Sequence, residues 1–139
     1  MASNIVGTWR LTSWRRVNER GEVSFPLGAD AVGLLIYDAD GNMVVQMTAK
    51  YRPILTTSDP LNGDAQELAK AYSTCLAYFG TYEVDDNYVI HRVVQSLYPN
   101  WSNSEQRRPY NCDGKTLILL TPPSESADGA VFNEMSWQR

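Results

Sequence analysis

A chain of 139 residues, 43% hydrophobic and 20% charged, has the make-up of one folded unit that buries a core without disulfide or metal staples. Its net charge of −4 offers no basic surface for phosphates, so nucleic acid is not an expected partner. No apolar run approaches a bilayer span and no leader pattern opens the sequence, which predicts no membrane partner, a cytoplasmic location, and free thiols at Cys75 and Cys112.

The predicted elements are short β-segments separated by turns. Thr8–Val17 alternates, with Trp9, Leu11 and Ser13 on one face, and Asn18-Glu19-Arg20-Gly21 then turns the chain. Val32–Tyr37 is rich in β-formers. Asp38-Ala39-Asp40-Gly41-Asn42 is a hairpin signal, because Gly and Asn tolerate positive φ, and Met43–Ala49 returns as the partner strand. Tyr51–Gly63 holds Pro53, Pro60 and Gly63 and reads as a loop. Asp64–Tyr72 combines helix formers with acids in the first turn and predicts one short helix, a lid or plug. Ala77–Val84 and Tyr88–Leu97 pair through Asp85-Asp86-Asn87, and Glu105–Cys112 and Lys115–Thr121 through Asp113-Gly114. Pro122-Pro123-Ser124 and Asp128-Gly129 bracket the last connection before Val131–Trp137.

Eight strands, one helix and no internal repeat or linker predict an all-β fold over residues 1–139. The expected form is a single closed eight-stranded antiparallel barrel. Closure removes the sheet edges and leaves an interior able to hold one small ligand. The alternation breaks at Val89-Ile90 and Val93-Val94, which predicts partial cover of the outer face, by the helix or by the second subunit of a homodimer.

Candidate chemistry is sparse. His91 is the single histidine, and only an imidazole has an unperturbed pKa, roughly 6.5, that places proton transfer near neutrality. Facing inward it shares its side with Val89, Val93 and Gln95 and suits an acid or base; otherwise it is a core or outer-face histidine. Gln106 and Arg108 share one face of their strand, leaving Arg107 to solvent. A guanidinium inside an apolar barrel needs a partner, either an internal acid such as Glu83 or Glu134 or the oxyanion of a ligand. Tyr78, Gly80 and Tyr82 also share a face, with Gly80 leaving room for a close approach. Tyr37, Met47, Trp101 and Trp137 complete a candidate substrate-binding lining. One His and two distant Cys make no metal site, Asp38-x-Asp40 lacks the rest of a calcium loop, and no nucleotide or other cofactor motif is present.

Ile5-Val6-Gly7-Thr8-Trp9-Arg10-Leu11 resembles the opening of the small intracellular lipocalin-like domain proteins of microbes. Gly33-Leu34-Leu35-Ile36-Tyr37, Tyr78-Phe79-Gly80-Thr81-Tyr82-Glu83-Val84, Pro99-Asn100-Trp101, Glu105-Gln106-Arg107-Arg108 and the closing Trp137-Gln138-Arg139 are similar too, in the same order. The resemblance implies a calycin-type barrel with an apolar central cavity, and a structural pairing of Trp9 with Arg139 by cation–π contact. Some relatives sit among secondary-metabolite enzymes. The functional expectation is therefore a cofactor-independent isomerase or cyclase on a small hydrophobic polyketide- or terpenoid-like intermediate. His91 would act as acid or base, with Arg108 and Gln106 stabilising oxyanion charge and the aromatic side chains packing the substrate. The alternative is a non-catalytic carrier that uses the same cavity.

Overall fold

The computed structural model describes residues 4–127 and 129–139. Its strands are β1 (Gly7–Asn18), β2 (Val23–Ser24), β3 (Val32–Tyr37), β4 (Asn42–Thr48) and β5 (Cys75–Val84), followed by β6 (Tyr88–Ser96), β7 (Glu105–Cys112), β8 (Thr116–Leu120), β9 (Ser124–Ser126) and β10 (Gly129–Gln138). Eight of them close an antiparallel barrel in the order β1-β3-β4-β5-β6-β7-β8-β10, with β10 pairing back onto β1. The short β2 and β9 merely extend β1 and β10. Asp128, expected in the last connection, lies outside the described residues.

The turns at one end share a device. Asp38, Asp85 and Asp113 each accept backbone N–H bonds from residues two to four positions on, and Gly41 and Gly114 supply the positive φ of 91° and 95°. At Asp38 the Asn42 side-chain amide, followed by the backbone bonds, and at Asp85 and Asp113 the backbone bonds themselves favour the ionised carboxylate and hold all three below the usual range.

This end of the barrel is plugged. Trp9 is fully buried, and its Nε1 donates to the Ile5 carbonyl at 2.9 Å. The Arg139 guanidinium lies 4.2 Å from the Trp9 ring centre and donates to the carbonyls of Asn4, Val6 and Gly114. One side chain thus ties both chain ends to the β7–β8 hairpin. Leu35, Tyr37, Met43, Leu117 and Trp137 pack above it as a closed core.

The opposite end is open. It carries the residue 49–64 loop and helix α1 (Ala65–Ser73), which Asp64 caps by accepting from the backbone N–H of Gln66 and Glu67. Glu67 accepts from Thr56, and Arg52 donates to the Ala71 carbonyl, so loop and helix are bound together. No residue of α1 is buried, so the helix flanks the mouth and fills nothing; the expected plug is Trp9 and Arg139 instead. Nor does α1 mask the irregular outer alternation: Val44, Phe79 and Val94 remain 45–50% exposed on adjacent strands.

Two β-bulges change which side chains face inward. In β1 the register slips between Leu11 and Ser13, so Trp14 and Arg16 turn to the interior where continued alternation would place Ser13 and Arg15. In β6 the slip opposite Phe79 and Gly80 leaves Val94 unpaired and turns Gln95 outward, away from the face of His91 and Val93 that it was expected to share. Gly80 is required at that bulge, because a Cβ there would sit on the carbonyl oxygen of Arg92.

Candidate functional site

A cavity of about 540 Å³ occupies the open half of the barrel, a volume ordinary for small-molecule sites. Its walls are built from pairs of residues two apart on three strands spaced around the barrel: Trp14 and Arg16 of β1, Leu76 and Tyr78 of β5, Gln106 and Arg108 of β7. Asn133 and Met135 of β10 complete the circuit with Met47 of β4. Trp101, carried by the 3-10 turn Pro99–Trp101, and the residue 121–124 segment form the rim. A smaller cleft of about 250 Å³, between α1 and residues 52–55, lies outside the barrel.

Of the two arginines on the cavity wall, Arg16 and Arg108, Arg108 is the more deeply buried, only 5% exposed. Its guanidinium carbon is 5.6 Å from the Trp101 ring centre, and Trp101 meets Tyr78 edge-on. Neither expected acid reaches Arg108: Glu83 pairs with Arg92 and Glu134 with Arg15. Among the described residues, no carboxylate forms an ion pair with Arg108. Gln106 donates to Ser104 at 2.9 Å.

His91 sits one layer deeper, behind Tyr78, and is 1% exposed. Its Nδ1 lies 2.6 Å from the Tyr78 hydroxyl and its Nε2 2.6 Å from the Tyr37 hydroxyl. Burial, with the nearby Arg108 charge as a second cause, pushes the imidazole down to about 3. Burial likewise raises the Tyr37 and Tyr78 phenols, more strongly for Tyr37, while Arg108 opposes the rise at both. A neutral imidazole carries one N–H, so one tyrosine accepts from His91 and the other donates to it. Both ring nitrogens are therefore committed.

The predicted residues divide by height in the barrel. Arg108, Gln106, Met47, Tyr78 and Trp101 are on the cavity wall. His91, Tyr37, Tyr82 and Trp137 face inward but are off it. Tyr37 is enclosed against His91, Tyr82 donates to the Asp38 carbonyl at the plugged end, and Trp137 is packed in the closed core. These three aromatics therefore act as core where a substrate-binding lining was expected. Arg107 is outside, over the Tyr88 ring.

The lining also includes residues the sequence reading did not select: Arg16, Leu76, Asn133 and Met135. Asn133 and Met135 share the parity of Trp137 and were findable on that ground. Leu76 shares the parity of Tyr78 but precedes the predicted strand start at Ala77. Arg16 was hidden by the β1 bulge. Among the described residues, no three His, Cys, Asp or Glu side chains converge as a metal set, and no helix is long and apolar enough to cross a membrane.

A plugged, eight-stranded barrel with an apolar cavity at its open end and a few inward polar groups defines a lipocalin-type small-molecule binding protein. The chain belongs to the lipocalin-like domain family, whose model matches residues 6–139. Among curated proteins it is similar to the 4'-hydroxy-3'-methoxypropiophenone carrier protein ppsC of Aspergillus oryzae, at 39% identity over 69 residues. That match covers 44% of this chain and 62% of the relative, under two thirds of the relative's length.

Proposed function

We propose that the protein is a carrier that holds a small, mainly apolar molecule in the open half of its barrel and releases it unchanged. The observation that carries this reading is the separation of the histidine from the cavity. A general acid or base must reach the atom it protonates, directly or through one water. His91 instead lies behind Tyr78 with both nitrogens occupied, and it is held neutral. The wall itself offers packing surface in Trp14, Met47, Leu76 and Met135, and methionine adapts to ligands of varied shape. The similar Aspergillus protein, by its name, carries an aryl ketone with phenol and ether oxygens, a molecule of the same general character. An isomerase or cyclase on such a compound is the competing reading, and it needs a proton-transfer group at the wall.

Titration with N-phenyl-1-naphthylamine, a neutral dye that fluoresces in apolar surroundings, tests the reading. Saturable one-to-one binding is expected, with displacement by 4'-hydroxy-3'-methoxypropiophenone and recovery of that ketone unchanged after prolonged incubation. Leu76→Trp should fill the cavity and weaken dye binding while the circular dichroism spectrum is retained. Lack of saturable binding both of this dye and of its sulfonated analogue 1-anilinonaphthalene-8-sulfonate, or conversion of the held ketone into an isomer, would overturn the carrier proposal.

A further inference from the structure

We infer that the ligand carries one anionic oxygen group on its apolar body (a carboxylate, an enolate or an acidic phenol) and that Arg108, assisted by Arg16, binds it. The inference rests on the cavity being the ligand site and adds the charge of what fills it. The chain is acidic overall, at −4, yet its cavity wall holds two arginines and no carboxylate among the described residues.

Arg108 is the more telling of the two. It is buried, it lines the cavity, and the acids that could neutralise it are spent elsewhere. Arg92 takes Glu83 and Glu105, and Arg15 takes Glu134. A guanidinium taken out of water without a counter-charge is costly, and the cost is recovered when an oxyanion meets its planar fork of donors. Arg16, two residues beyond Trp14 on β1, is half-buried at the same cavity, and its Nε is fixed by Asn133 Oδ1 at 3.1 Å. The remaining polar groups near Arg108 do not supply negative charge. Tyr78 is held in its neutral phenol form and His91 as neutral imidazole, so the cavity keeps a positive potential for an anion to satisfy. The apolar wall then takes the body of the ligand.

Two dyes with one skeleton separate the charge from the cavity. 1-Anilinonaphthalene-8-sulfonate differs from N-phenyl-1-naphthylamine by the sulfonate alone. The wild type should bind the sulfonated dye at least as tightly as the neutral one, although the anion is costlier to desolvate. Arg108→Met should weaken the sulfonated dye tenfold or more and leave the neutral dye within twofold. Arg107→Met makes the same charge change on the outer face and should alter neither. Loss of both dyes alike in Arg108→Met, no loss of either, or wild-type binding of the neutral dye alone would overturn the inference and leave the carrier reading standing. If neither dye binds the wild type, both fall together. Should Arg108→Met fail to fold, Arg16→Met decides with the same pair, by selective loss of the sulfonated dye or its absence.

Discussion

Lowering the pH from about 7.5 to about 5 probes the buried histidine directly. In the folded barrel His91 is held down to about 3, against an ordinary value of 6.5 in the unfolded chain. Between those values the unfolded chain binds a proton that the folded chain refuses. Stability is therefore complete above pH 6.5 and is lost progressively as pH falls through that value towards 3. At about 1.4 kcal/mol per pH unit, the loss is about 2 kcal/mol at pH 5 and about 3.5 kcal/mol at pH 4. Because the chain has a single histidine, subtracting the same measurement on His91→Gln removes the carboxylate titrations common to both proteins. Urea unfolding followed by tryptophan fluorescence should show the wild type losing about 2 kcal/mol more than the variant over the interval. The lone imidazole proton resonance should stay flat down to pH 5. Equal losses in the two proteins, or an NMR midpoint near 6.5, would refute the account of His91 as a neutral, doubly bonded core group.

Other perturbations bear on the same structure. Tyr37→Phe leaves His91 Nε2 without its partner in a sealed core and should cost about 1–3 kcal/mol by chemical denaturation; a neutral result would mean that water reaches the ring. Gly80→Ala drives a methyl into the Arg92 carbonyl at the β6 bulge, and about 2 kcal/mol or more of destabilisation is expected, with faster amide exchange along β5 and β6. Arg139→Ala releases three backbone carbonyls and uncovers Trp9, so the melting temperature should fall and Trp9 should become open to acrylamide quenching, while neutral-dye binding at the far end persists. Asp64→Ala removes the α1 cap and should cost about 1 kcal/mol of local helix stability, read by exchange of the Gln66 and Glu67 amides.

Much of the fold was legible from local chemistry. The three Asp-led turns declare their hairpins, since an Asp that accepts backbone N–H bonds, joined at Gly41 and Gly114 by a glycine at positive φ, fixes a tight reversal without help from the rest of the chain. Period-two alternation correctly turned Gln106 and Arg108 inward together, with Tyr78 and Met47. The same alternation misled at Ser13 and Gln95. A bulge inserts one residue and inverts every later assignment on its strand, and neither Thr12 nor Val94 announces itself as the extra residue.

Height along the barrel is a separate quantity from face. Tyr37, Tyr82 and Trp137 have the parity of lining residues and do point inward, yet they belong to the closed core, while Leu76 and Met135 reach the cavity. Parity is a property of one strand, readable from its own residues. Height depends on how each strand is staggered against its neighbours around a closed circuit, which no single segment encodes. The sequence by itself therefore determined the antiparallel strands, their turns, the one short helix and the inward face of most strands, because those follow from side-chain alternation and nearest-neighbour backbone chemistry. Only the tertiary structure decided that His91 lies behind Tyr78, that Arg108 is inside without an acid, and that Arg16 joins it. Each of these depends on the stagger or on a bulge that sets which distant side chains meet.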